Sequence, residues 1–120
     1  MVRSIFLVLS DATGPDTDAE FNRWYSEKHI QDVAKVPGVV SATRYRIEKG
    51  VTVLPGVNAD RHGFVAIYEI EAKTKEELEM FAASLRTAID SGAVDISPTL
   101  DFKGVTGSLC VPITARVTAK

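Results

Sequence analysis

Two stretches of this chain, residues 17–37 and 73–92, space their apolar residues as helices do, and short runs of strand-forming residues bracket each of them. That order constrains the fold more than any other feature. The run "RSIFLVLS" is apolar on both alternating sets, Ile5, Leu7 and Leu9 on one side and Phe6 and Val8 on the other, which predicts a strand covered on both faces. "DATGPD" is turn chemistry. Thr17 and Glu20 then stand at capping-box spacing before Phe21, predicting a helix start, and Pro37-Gly38 predicts its end. "VVSATRYRIE" reads as a second strand, and residues 49–62, with Gly and Pro and no steady period, as a loop or loosely paired hairpin arm. "GFVAIYEIEA" reads as a third strand, with Phe64, Ala66, Tyr68 and Ile70 on one face and Val65 and Ile67 on the other. Leu78, Phe81, Ala82, Leu85 and Ile89 form the stripe of the second helix, which Gly92 is suited to end. After an irregular "ISPTLDFKG", the stretch "VTGSLCVPITARV" predicts a last strand, with Pro112 at its edge or end.

Strand-helix-strand-strand-helix-strand is the split pattern of a ferredoxin-like α+β sandwich, with both helices on one face of a four-stranded sheet. The other face needs a cover, because the first and third strands carry large apolar residues on both sides. Two copies meeting sheet to sheet supply that cover, so a homodimer is expected. With 120 residues, one domain over residues 1–120 is expected. An apolar share of 45% and a charged share of 25% are ordinary for a soluble globular protein. The formal charge of −2, without a basic cluster, argues against nucleic-acid and anionic-membrane partners. No run approaches the roughly 20 apolar residues of a membrane span. A lone Cys110 leaves no internal disulfide and suits a reducing compartment, so a cytoplasmic location is expected. The opening "MVRSIFLVLSDATG" has one Arg and a short apolar run, but Asp11 stops it and no small-residue cleavage site follows, so a signal peptide is not expected.

The first helix carries the chemistry. At about 100° per residue, Phe21, Tyr25, His29, Asp32 and Val36 fall in one stripe, the face that should meet the sheet. Tyr25 and His29 are one turn apart, and Asp32 is three residues beyond His29, so neighbouring side chains can touch. Read structurally, His29 is a satisfied core histidine, Asp32 its partner or a surface group, and Tyr25 an amphipathic packer. Read functionally, three polar groups on an inward face each need a partner or line a cavity, and a histidine is the side chain best able to move protons near neutral pH.

"FNRWYSEKHIQDVAKVPGVVSATRYR" resembles the signature of small dimeric α+β-barrel proteins of the EthD-like kind, in which a W-Y-x-x-x-H helix runs into a P-G-V turn and a strand ending in R-Y. The matching positions are Trp24, Tyr25, His29, Pro37, Gly38, Val39, Arg44 and Tyr45. The resemblance implies a homodimer with a pocket between each sheet and its helices. It implies cofactor-independent chemistry on a small cyclic or aromatic, catabolic or polyketide-like substrate, with the helix histidine as proton carrier. A lyase or isomerase of decarboxylase or cyclase type is the leading expectation. The alternatives are a non-catalytic small-ligand-binding or auxiliary dimer and a cofactor-free monooxygenase.

His29, Tyr25 and Asp32 are therefore the candidate catalytic residues, and Trp24, Arg44, His62 and Tyr68 the candidate substrate-binding ones. His62 precedes the third strand, as an exposed loop histidine or a second proton carrier. Arg44 suits a substrate carboxylate or phenolate, or else a Glu or Asp on a neighbouring strand. Tyr68 is barrel filling or a hydroxyl aimed at a ligand, and Cys110 reads as a small buried hydrophobe. Two histidines without clustered ligands predict no metal site, and no phosphate-binding glycine loop or dinucleotide fingerprint is present.

Overall fold

The doubly apolar first run forms β1 (Ser4–Ser10), which shares the centre of a four-stranded antiparallel sheet with β3 (Phe64–Ile70). β2 (Val39–Arg46) lies outside β3 and β4 (Thr106–Cys110) outside β1, giving the order β2-β3-β1-β4. This is the ferredoxin-like α+β arrangement expected from the element order. The computed structural model describes residues 2–119, so Met1 and Lys120, the ends of the expected 1–120 domain, lie outside it.

The register decides which side chains meet the helices. Phe6 pairs with Tyr68, Val8 with Ala66 and Ser10 with Phe64, while Ala42 and Arg44 of β2 stand opposite Tyr68 and Ala66. Paired residues share a face, so these line the helix-covered side. There Phe6 touches Phe81 edge-on at 5.6 Å between ring centroids, and Phe21 touches Phe64 at 5.7 Å. Ile5, Leu7, Leu9, Val65 and Ile67 take the opposite face, and all five keep part of their surface exposed. β4 is shorter than its sequence suggests, ending two residues before Pro112. Gly107 allows β4 to pass Phe6, because a Cβ there would stand 3.2 Å from the Phe6 ring.

The first helical stretch is not one regular helix. α1 (Asp18–Trp24) leads into a π-helical turn, Tyr25–His29, and then α2 (Ile30–Ala34). The expected capping box does not form. Thr17 closes a 3₁₀ turn, Pro15–Thr17, through its hydroxyl and Gly14, while Glu20 pairs with Arg23. Gly38 makes the exit at φ +99°, a left-handed geometry in which any Cβ is strained. α3 (Lys75–Asp90) is capped as such helices should be: the Thr74 hydroxyl accepts from the Glu77 N–H at 3.1 Å, and the Glu77 carboxylate accepts from the Thr74 N–H at 3.1 Å. Among the described residues no helix is long and apolar enough to cross a membrane.

Candidate active site

Tyr25 and His29 occupy the two ends of the π turn, which the Ile30 N–H closes on the Tyr25 carbonyl. Such turns are rare, and they often mark functional positions in helices. The wider turn also shifts the phase of everything after it. Val33, not Asp32, takes the next inward position and is buried. Asp32 instead accepts from Lys28 Nζ at 2.8 Å and, at 3.5 Å, from the Asp95 N–H. The constant 100° step that placed Asp32 on the inner stripe fails here because the helix is not α throughout.

His29 is 8% exposed, with its ring centroid 4.6 Å from that of Trp24 and 4.7 Å from that of Tyr25. Its Nδ1–H donates to the Asp95 carbonyl at 2.9 Å. A carbonyl only accepts, so in the neutral ring the proton sits on Nδ1 and the lone pair on Nε2. Neither Asp32 nor Tyr25 fixes the tautomer. A backbone carbonyl does, and Asp32 acts one step removed by holding the Asp95 peptide. Burial pushes the His29 pKa below the usual imidazole value, outweighing the raising effects of the Asp95 carbonyl and the Asp32 and Asp95 carboxylates.

A cavity of about 110 Å³ lies beside this ring. Tyr25, His29 and Val33 form its helical side, Phe6, Val8, Ser10 and Tyr68 its floor on the sheet, and Leu85 and Ile89 of α3 a third wall. Val94, Ile96, Leu100, Phe102 and Val105 close it. The Tyr25 and Tyr68 hydroxyls lie 3.3 Å apart. Burial pushes both phenols above their usual pKa, so both keep their protons, and the bond between them uses only one of the two. Ser10 is buried on the same face, without a hydrogen bond to its hydroxyl among the described residues. A larger cleft of about 720 Å³ lies between residues 71–73 and 111–114, and among the described residues it is lined by Arg3, Glu71 and Lys73 but by no His or Tyr.

Arg44 neither faces a carboxylate nor lines the cavity. Its guanidinium donates to Ser26 Oγ and Asn22 Oδ1, each at 2.9 Å, and lies 4.3 Å from the Tyr25 ring centroid. It braces Tyr25 from behind by a cation–π contact, in place of the strand-to-strand ion pair expected of it. Trp24 covers one face of His29 without lining the cavity. Its Nε1 and the Arg44 Nε are both buried without partners among the described residues. His62 is not an exposed loop residue. It is 2% exposed, does not line the cavity, and has both ring nitrogens bonded. Cys110 is half-buried at the end of β4. Among the described residues no three His, Cys, Asp or Glu side chains group as metal ligands.

Asp95 and Ser10 were not foreseen from the sequence. The first contributes a backbone carbonyl, which leaves no mark in residue type. The second reads only as the polar end of a strand, although the alternation from Phe6 through Val8 places it on the inner face.

A small apolar cavity with a histidine and two phenols lies between one face of a ferredoxin-like α+β sheet and its helices. The chain is similar in structure to an EthD family protein of Bacillus halodurans, with a TM-score of 0.53, 16% identity, and coverage of 92% of this chain and 99% of that one. The fold implied by the Trp24-Tyr25-x-x-x-His29 motif is thus the fold present. A monooxygenase of Streptomyces coelicolor in complex with Nanaomycin D aligns at a TM-score of 0.48 and 17% identity, covering 98% of this chain and 94% of that one, which is too distant to carry an argument. No protein-family model and no curated protein matches the chain.

Proposed function

We propose that the chain binds a small, neutral, oxygen-bearing ring compound in the cavity and that His29 Nε2 removes a proton from it. The observation that carries this reading is the His29 Nδ1–H bond to the Asp95 carbonyl, which leaves the unprotonated nitrogen as the free one beside an apolar cavity. The proton passes from a C–H or O–H of the ligand to Nε2, and the electron pair left behind spreads onto the ligand's oxygen. A Tyr25 or Tyr68 hydroxyl then donates to that oxygen, as a preorganised donor in a water-poor site should. Returning the proton to a different atom is isomerase chemistry, expelling a leaving group with the anion's electron pair is lyase chemistry, and the same anion meeting dioxygen is cofactor-free oxygenation. The cavity wall has no Arg or Lys, which favours a neutral ligand over a carboxylate.

The test is deuterium wash-in to the methyl group of 4-hydroxyacetophenone in D₂O, with oxygen uptake followed alongside. Exchange that depends on His29 supports proton abstraction, and oxygen uptake selects the monooxygenase branch. Saturable binding without exchange would replace the enzyme by a ligand-binding protein. The proposal includes a homodimer, for which the partly exposed Ile5, Leu7, Leu9, Val65 and Ile67 on the uncovered sheet face are the support. Sedimentation of the chain and of Ile67→Lys decides it, a monomer in both ending the dimer.

A further inference from the structure

His62 is the candidate that the proposed chemistry leaves unused, and its bonds are unusual for a buried histidine. Its Nε2 is 2.8 Å from the Gly104 carbonyl and its Nδ1 is 2.6 Å from Asp60 Oδ1. The carbonyl can only accept. The His62 backbone N–H, followed by its ring, holds the Asp60 carboxyl below the usual carboxylate range, so Asp60 is ionised and also only accepts. Both bonds can form together only when both ring nitrogens carry hydrogens.

Those two bonds join separate parts of the chain. Asp60 belongs to the loop between β2 and β3, and Gly104 ends a 3₁₀ turn, Phe102–Gly104, whose neighbours Leu100 and Val105 line the cavity together with Phe102. The near end of this segment is tied to the turn after β1 by backbone bonds, Thr13 N–H to the Thr99 carbonyl at 2.9 Å and Asp101 N–H to the Asp11 carbonyl at 3.0 Å. Its far end reaches the β2–β3 loop through His62. Phe102 is 68% exposed, so little apolar packing adds to that tether.

We propose that His62 is a positioning residue, a protonation-dependent latch that holds the Phe102–Gly104 turn at the rim of the cavity and sets how readily the rim opens. When the second proton leaves, one ring nitrogen turns a lone pair toward the Gly104 carbonyl or the Asp60 carboxylate, and that bond becomes a repulsion. The charged groups around the latch are Asp60 itself, Arg61 and Lys49 on the loop, Asp11 at the end of β1, and Asp101 and Lys103 beside Gly104. Asp11 accepts from the Gly63 N–H at 2.7 Å, and Lys49 Nζ donates to the Arg61 carbonyl at 2.8 Å. The consequence for ligand entry rests on the cavity being the binding site, whereas the latch is measurable without any ligand.

The experiment follows the His62 ring ¹⁵N resonances and the amide exchange of residues 100–105 in the whole chain, from about pH 5 to about pH 9. Exchange is corrected for its intrinsic pH dependence. The expected result is two protonated ring nitrogens at the acid end. As the second proton is lost, protection at 100–105 should fall about tenfold while β1 and β3 hold theirs. His62→Gln, which can fill only one of the two bonds well, should exchange fast at 100–105 at every pH, with no step. A singly protonated ring throughout, or a wild-type step that is absent, overturns the latch, and the wild-type titration decides even if the variant does not fold. A step at 100–105 together with no binding of 4-hydroxyacetophenone would support the latch and count against the cavity as a ligand site.

Discussion

The chain holds two buried histidines, and they differ in how many acceptors surround each ring. His29, inside the π turn, has one nitrogen bonded to the Asp95 carbonyl and the other free beside the cavity. His62, at the rim, has the Asp60 carboxylate on one nitrogen and the Gly104 carbonyl on the other. Burial alone therefore does not sort a reactive histidine from a structural one. A ring with one acceptor keeps a lone pair to use, whereas a ring with two must spend both nitrogens as donors. At His29 the folded chain disfavours a second proton, because burial outweighs the acceptors around the ring.

The sharpest way to break the comparison is to remove each ring in turn. His29→Ala should lower deuterium wash-in by about 10²–10⁴, the usual range for losing a general base, while circular dichroism shows the fold kept. His62→Ala should leave the exchange rate per folded molecule within about threefold but lower stability in urea by about 1–3 kcal/mol, as two buried hydrogen bonds disappear. A His29→Ala protein that stays active yet melts early would make His29 the structural residue of the two.

The phenols come next in expected size. Tyr25→Phe and Tyr68→Phe each remove one hydroxyl, but each also frees the other from the bond they share. Either single change should cost about threefold or less in exchange, and the double change about 10²-fold, well above the roughly tenfold product of the singles. Multiplicative effects would mean that each hydroxyl has its own task.

Stability against pH tests the protonation of His29 directly. Its folded pKa lies below the ordinary value of about 6.5, so the unfolded chain takes up the proton first as pH falls. Stability from this residue is therefore full above about pH 6.5, declines as pH drops toward the folded pKa, and levels below it. Urea midpoints between about pH 7.5 and about pH 5 should fall more steeply for the wild type than for His29→Asn. Equal slopes would mean that the folded ring accepts its proton as easily as the unfolded one.

The sheet was largely readable from the sequence because its signal is local. Alternation put Phe64, Ala66, Tyr68 and Ile70 on one face and Val65 and Ile67 on the other, and the register keeps them there. The outcomes that were not readable depend on backbone events without a residue signature. Nothing in "WYSEKHIQD" announces that the turn widens after Trp24, yet that change moves Val33 inward and Asp32 out. The Asp95 carbonyl accepts from one histidine and the Gly104 carbonyl lies against the other, and any residue could supply either. Residues 93–105, which have no regular period, wall the cavity with five apolar side chains whose grouping only the tertiary fold produces.

Asp32 carries the smallest expected effect and the finest distinction. On a regular helix it would touch His29, and neutralising it would remove a direct partner of the ring. In the π-shifted helix its hydrogen bonds reach His29 only by way of residue 95, for it accepts from the Asp95 N–H while the Asp95 carbonyl accepts from the ring's Nδ1–H. Asn at this position still offers a carbonyl oxygen to the Asp95 N–H and loses the carboxylate's charge, which acts on the exposed Lys28 ammonium and, through space, on the His29 ring. Asp32→Asn should therefore change deuterium wash-in by less than about threefold. Asp32→Ala leaves the Asp95 N–H without its acceptor and loosens the carbonyl that holds the tautomer, so it should cost more, about tenfold, with the loss in kcat rather than KM. If Asn is as harmful as Ala, the charge of Asp32 rather than its hold on Asp95 supports His29, and the helix behaves at this position as though the extra residue of the π turn were not there.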